Sequence, residues 1–164
     1  MTLRDAREED AGALLSLMKQ LAELEGYADR FRITEEILVE RGFRRSPPDF
    51  HCLVVESETA QLVGMLVYYF IAFTFTGRPA LFIKELYVAE EARRSGVGEQ
   101  LMRGAARVAA EQGCDAIRWQ VADWNAAARR FYERLGAAAD PVWINYSLTH
   151  EELTTLAIDE SAQP

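Results

Sequence analysis

The segment Arg93-Arg94-Ser95-Gly96-Val97-Gly98 lies between an apolar run ending at Val88 and a helical pattern starting near Gly98. A helix start offers backbone N–H groups with no intrahelical acceptor, together with the positive end of the helix dipole. Two glycines remove side chains that would keep a phosphate from the backbone, and two arginines add bidentate donors. Pyrophosphate binding is the chemistry on offer. An ordinary turn with charged, solvent-facing residues accounts for the same six residues. The segment lacks the Gly-Lys-Ser/Thr ending of a P-loop and the third glycine of a dinucleotide fingerprint.

A second group is Asn125, just before another helical stretch, with Tyr132 two turns further on. Read by residue type, Asn125 is a helix cap, Phe131 and Leu135 are a core pair at i,i+4, and Tyr132 is a half-buried aromatic with a wet hydroxyl. His51 at a strand start reads as structural, and His150 in a helix-start turn as exposed. Cys52 and Cys114 sit in or beside apolar runs as small hydrophobes; they form neither metal-ligand spacing nor a disulfide framework. No metal cluster is expected.

The elements that must position these residues follow from periodicity. Leu3 to Arg7 reads as a strand. A helix with Leu14, Leu17, Met18, Leu21 and Leu24 on one face ends at Gly26, and a second, capped by Thr34, fades near Gly42. Three strands are expected at His51–Glu56, Leu62–Phe73 and Ala80–Val88, the first two joined by a turn at Ser57–Ala60. A helix over Gly98–Gln112, a strand over Ala116–Val121, a helix over Ala126–Leu135 and a final strand over Val142–Leu148 complete the pattern. Thr149 and Glu152 have capping-box spacing, which predicts a short terminal helix; Ser161–Pro164 are expected to be loose. Two helices before a strand meander, then alternating strand and helix, make an α/β fold with a mixed sheet.

The 164 residues suffice for one domain with its own core. A formal net charge of −8 argues against a general nucleic-acid binder and is compatible with a cationic substrate. The N-terminus lacks a signal-peptide pattern, and the apolar stretch from Leu62 to Phe75 is shorter than the roughly 20 residues that cross a bilayer. No membrane association and a reducing cytoplasmic location are expected.

The loop resembles the Arg/Gln-x-x-Gly-x-Gly/Ala loop of the GNAT superfamily of N-acetyltransferases, and the resemblance extends over nearly the whole chain. Within the superfamily the sequence looks like the diamine (spermidine/spermine) and thialysine acetyltransferase branch. The stretches that carry this are Met18-Lys19-Gln20-Leu21-Ala22-Glu23-Leu24-Glu25, Gly42-Phe43, His51-Cys52-Leu53-Val54, Tyr68-Tyr69-Phe70, Leu86-Tyr87-Val88, and Val121-Ala122-Asp123-Trp124-Asn125 with Phe131-Tyr132.

The resemblance implies a single GNAT domain over residues 1–160, with a central, mostly antiparallel sheet flanked by helices. It implies acetyl-CoA as cosubstrate, a small-molecule amine as acceptor, and a homodimer. Backbone groups of Leu86, Tyr87 and Val88 would pair with the pantetheine arm. Arg94, Ser95, Gly96, Val97, Gly98 and Glu99 would hold the pyrophosphate, with Arg93 flanking. Asn125, Ala126, Ala127 and Ala128 would line the cofactor, and Tyr132 would be the general acid. On the amine side, Glu25 would contact the acceptor, Trp119 and Gln120 would form its wall, and Glu85 is a candidate base. A protein or peptide amine, or a non-catalytic acyl-CoA-binding module, are the competing readings.

Two departures from that branch stand out. Lys84 occupies the position of an acidic residue that contacts the polyamine, and a like charge repels a polycation. Strand alternation implies that Lys84 and Glu85 face opposite ways, so Glu85 is no simple replacement. The segment from Gly136 to Trp143 is also shorter, with Asp140 as a loose counterpart of the branch's other substrate-binding acid. A zwitterionic amine, whose carboxylate could pair with Lys84, suits this sequence better than a polyamine.

Overall fold

Runs rich in Val, Leu, Ile, Tyr and Phe, which fit a pleated surface, build a five-stranded sheet. Its strands are β1 (Thr2–Asp5), β2 (His51–Glu56), β3 (Leu62–Ile71), β4 (Ala80–Val88) and β5 (Ala116–Trp119), laid side by side in chain order. The first four pair antiparallel, and β5 joins β4 in parallel. The mixed, mostly antiparallel sheet expected from the sequence is therefore present. The structure is a computed structural model that describes residues 1–158 apart from Phe73 and Trp143. The chain divides into two compact units, Met1–Trp124 and Asn125–Pro164.

In the first unit both faces of the central strands are covered, which explains their near-continuous apolar sequence. Helix α1 (Ala11–Glu25) sets Leu14, Leu17, Met18 and Leu21 against Val54, Met65, Val67 and Tyr87. Leu24, on the same predicted stripe, is 51% exposed, so the last turn of α1 lies outside that core. Helix α2 (Glu35–Leu38) is capped by Thr34, whose Oγ1 accepts from the Ile37 N–H at 3.3 Å, and widens into a π-helical turn over Val39–Arg44.

Helix α3 (Val97–Glu111) covers the opposite face with Val97, Leu101 and Ala105 fully buried. Its start lies so close to β3 that a Cβ on Gly64 would be 2.6 Å from Val97 Cγ1 and 3.2 Å from Leu101 Cδ1. Gly64→Ala is expected to destabilise the fold by about 1–3 kcal/mol, as overpacking does. Denaturant unfolding measures the loss, and an unchanged midpoint would show that the helix start tolerates the added methyl.

In the second unit, helix α4 (Ala126–Arg134) is capped by Asn125, whose Oδ1 accepts from the Ala128 N–H at 3.0 Å. The core pair expected on it is not buried: Phe131 is half-buried and Leu135 is 38% exposed. The final strand expected over Val142–Leu148 is not formed among the described residues; Trp143 lies outside them. Val142, Ile144 and Tyr146 are 73%, 77% and 92% exposed. Alternation makes a segment able to be a strand, but only a neighbouring strand's N–H and C=O groups make it one. Helix α5 (His150–Ile158) follows, and its capping box is present: Thr149 N–H to Glu152 Oε2 at 2.6 Å and Glu152 N–H to Thr149 Oγ1 at 3.3 Å. Ser161–Pro164 lie outside the described residues. Among the described residues, no helix is long and apolar enough to cross a membrane.

Candidate active site

The chain leaves β4 through a short 3-10 turn, Glu90–Ala92, and enters α3 at Val97. Between them Arg94 (φ 66°) and Gly96 (φ 88°) both take the left-handed conformation. That costs Gly96 nothing but costs Arg94 about 1–2 kcal/mol, and Ser95 Oγ ties the loop back by donating to the Ala92 carbonyl at 2.6 Å. The Gln100 N–H bonds to the Gly96 carbonyl at 2.9 Å. The N–H groups of Val97, Gly98 and Glu99 come before it in the helix's first turn, where no intrahelical acceptor exists. Left-handed residues preceding a helix start concentrate N–H groups on one anion. The loop thus fits a pyrophosphate. Glu99 points its carboxylate along the helix to Arg103 at 2.7 Å.

Arg93 turns away from this cradle. Its Nε donates to the Val88 carbonyl at 3.2 Å, and its guanidinium lies 5.7 Å from the centre of the Tyr87 ring.

β4 itself offers a second fitting surface. On one side Leu86, Tyr87 and Val88 pair with Leu66, Met65 and Gly64 of β3. On the other, β5 pairs only with Ala80–Ile83, and its last residue, Trp119, is opposite Ile83. The outer edge beyond that point has no strand partner among the described residues. An amide-bearing ligand arm can add there as a strand would. Trp119, half-buried, and Gln120, exposed, lie at the end of β5 where this edge opens.

The register of β3 and β4 shifts between Val67 and Tyr68: Val67 is opposite Glu85, while Tyr68 is opposite Ile83. Lys84 is the extra residue of a β-bulge. Val67 belongs to the core beneath α1, so Glu85, its partner, faces α1. Tyr68 and its partner Ile83 face the α3 side, and Lys84, next along the strand, turns back toward α1. Strand alternation implied that Lys84 and Glu85 face opposite ways. The bulge corrects this, placing both on the α1 face.

Glu85 is half-buried, and its Oε2 is buried with no hydrogen-bond partner among the described residues. Burial pushes its carboxyl above the usual carboxylate range; Lys84 opposes the rise and Glu25 adds to it. Burial, with Glu85 and Glu25 behind it, also pushes the Tyr27 phenol up to about 12. Glu25, Tyr27, Lys84 and Glu85 thus share one neighbourhood at the C-terminal end of α1. Tyr27 was not among the sequence candidates; the available signal was its place two residues after Glu25, just beyond the helix end.

In the second unit Asn125, Ala126, Ala127, Ala128 and Tyr132 lie together on the start and body of α4. The Asn125 side-chain oxygen is committed to the cap, and the half-buried Tyr132 ring lies 5.1 Å from that of Phe131. Asp140 Oδ1 accepts from the Val142 N–H at 3.0 Å, a local turn. His51 stacks on Tyr68 at 5.2 Å, in keeping with a structural role, and His150 is exposed. Burial raises the thiol pKa of both Cys52 and Cys114, which makes them poor nucleophiles.

A helix start whose first N–H groups have no intrahelical acceptor thus follows a strand whose outer edge is open among the described residues. The pattern of the acetyltransferase (GNAT) family matches residues 14–137, so the chain belongs to that family and is an acetyl-CoA-dependent N-acetyltransferase. Among curated relatives, the thialysine N-epsilon-acetyltransferase of Mus musculus is 35% identical over 165 residues, covering 94% of this chain and 96% of that one. The enzyme of the same name from Sus scrofa is 39% identical over 142 residues, covering 82% of each. Among solved structures, an integron cassette protein from the mobile metagenome of V. cholerae shares the fold, with a TM-score of 0.79 at 19% identity, over 95% of this chain and 96% of that one.

Proposed function

We propose that the protein acetylates the terminal primary amine of a small molecule that also carries a carboxylate, an amino-acid-like amine of the thialysine kind. The observation that carries this reading is the pair on the bulge. Glu85, half-buried with a free carboxylate oxygen, and Lys84 face the same side of the sheet. A carboxylate and an ammonium side by side complement a zwitterion, whereas a polycation would meet repulsion from Lys84. The thialysine acetyltransferases among its relatives support the same class.

In this reading acetyl-CoA supplies a thioester-activated acetyl group, and the chain's residues do the rest. The loop Arg94–Glu99 holds the pyrophosphate on backbone N–H groups, while Leu86, Tyr87 and Val88 hold the pantetheine arm on the open edge of β4. Asn125, Ala126, Ala127 and Ala128 line the cofactor. Glu85 takes a proton from the incoming ammonium, which titrates near 10 and must be neutral to attack. Glu25 holds the ammonium before that step, and Trp119 and Gln120 wall the acceptor. Tyr132 gives a proton to the departing thiolate. No metal and no covalent enzyme intermediate are needed.

The reading includes one domain over residues 1–160, supported by a family match that runs across both units. It also includes a homodimer and a reducing cytoplasm, which suits two free cysteines.

The test is an amine panel with acetyl-CoA, reading free thiol and product mass. Thialysine and lysine-like amines should be acetylated in preference to spermidine, and Lys84→Glu should reverse that order by about tenfold or more, the scale of one close charge pair. Efficient spermidine acetylation that Lys84→Glu weakens would sink the zwitterion reading. Thiol release with peptides alone would point to a protein acceptor, and cofactor binding without thiol release from any amine to a non-catalytic module.

A further inference from the structure

Three elements meet at one buried hydroxyl that takes no part in the proposed chemistry. Tyr87 is 6% exposed, and its phenol donates to Gln20 Oε1 on α1 at 3.3 Å. The same oxygen accepts from Arg93 Nη2 at 3.5 Å, while Arg93 Nε holds the Val88 carbonyl at 3.2 Å. The guanidinium also rests against the Tyr87 ring, 5.7 Å from its centre. Pantetheine pairing through backbone groups would leave the identity of the Tyr87 side chain unimportant. Its contacts say otherwise.

We infer that Gln20, Tyr87 and Arg93 form a strut that sets the phosphate loop against helix α1. They are positioning residues that touch neither the reacting atoms nor, through these side chains, the pyrophosphate. Arg93 is the residue between the 3-10 turn and the left-handed Arg94, so wherever its guanidinium is anchored the cradle begins. Gln20 lies five residues before Glu25 on the same helix. Through the Tyr87 hydroxyl, the helix that ends at the amine-side acids and the loop that holds the cofactor share one anchor point. Both contacts on the hydroxyl are long, so their role is to hold a spacing. The inference rests on the reading that the loop binds acetyl-CoA and the end of α1 meets the amine.

The test uses Tyr87→Phe, which removes the hydroxyl and keeps the ring, with Gln20→Ala and the double variant. Tyr87→Phe should raise the acetyl-CoA KM, and the Kd for CoA alone, by about three- to tenfold, the range one ordinary hydrogen bond commands. The loss should fall more on KM than on kcat. Gln20→Ala, on a different element from the loop, should raise the same KM by a similar factor, and the double variant should be no worse than Tyr87→Phe, as members of one network behave. A purely structural role would lower Tm without this split between KM and kcat. Unchanged CoA affinity in Tyr87→Phe, or effects that multiply in the double variant, would overturn the strut. If the wild-type protein itself fails to bind CoA, the functional reading falls and the strut's purpose falls with it.

Discussion

Replacing Tyr132, the proposed general acid, by phenylalanine is expected to lower kcat at neutral pH by about a hundredfold or more, the usual contribution of such a group, with little change in the acetyl-CoA KM. The reason lies in two ordinary acidities. The departing thiol of CoA resembles a free cysteine, near 8.5, while a phenol near 10 is still protonated at pH 7 and can supply the proton. Phenylalanine keeps the ring, so its contact with Phe131 at 5.1 Å and the Asn125 cap on α4 are preserved. Thermal unfolding measures separately whether the fold is kept. The defect should shrink above about pH 8.5, where the thiolate leaves without help. A variant with wild-type kcat at pH 7 would remove Tyr132 from the mechanism and leave it as a packed aromatic on α4.

Glu85→Gln should act in opposite directions on activity and stability. As the proposed base, its loss should lower kcat by about a hundredfold or more. Stability should rise. Burial lifts the Glu85 carboxyl above its ordinary value in the folded protein. Between the ordinary carboxylate range and that raised value, the native state holds a proton that the unfolded chain has released. Stability from this group thus falls as pH rises through that window. Above it the folded protein keeps a half-buried charge whose Oε2 has no hydrogen-bond partner among the described residues. Glutamine removes that burden, and the variant should be more stable near pH 7 by about 1 kcal/mol, the low end of what an unsatisfied buried polar group costs. For a chain of this size that is about 2–4 °C in Tm. The kcat/KM profile of the wild type should show its acid limb above the usual carboxylate range. An active Glu85→Gln enzyme, or one less stable at pH 7 than the parent, would mean that Glu85 is held for packing and another group takes the proton.

The sheet and its helices were legible because their signals are local. β2 and β4 occupy the ranges read from their apolar runs, and Thr34, Asn125 and the Thr149–Glu152 pair cap the helices they were expected to cap. The segment over Val142–Leu148 shows the limit of the same reasoning: its alternation is real, but strand pairing is a property of two segments. The loop Arg93–Gly98 was legible as a glycine-bearing entry to a helix, yet nothing in the residue types distinguished Arg93, anchored on β4, from Arg94 in the left-handed region. The orientation of Lys84 was misread for a related reason. Alternation assumes an unbroken pleat, and a bulge is written in the pairing of two strands.

That bulge acts on β4 as a frameshift acts on a message. Upstream of Lys84, odd-numbered residues such as Ile83 face α3; downstream, odd-numbered residues such as Glu85 and Tyr87 face α1. The bulge lets Ile83 face α3 and Glu85 and Tyr87 face α1 with Lys84 carried between them. Deleting Lys84 would leave Ile83 and Glu85 on the faces they now occupy, in a regular pleat, whereas straightening the bulge with Lys84 kept would force one half of the strand to exchange faces. The bulge therefore lets the strand carry one more cation on the α1 face without moving the side chains on either side of it.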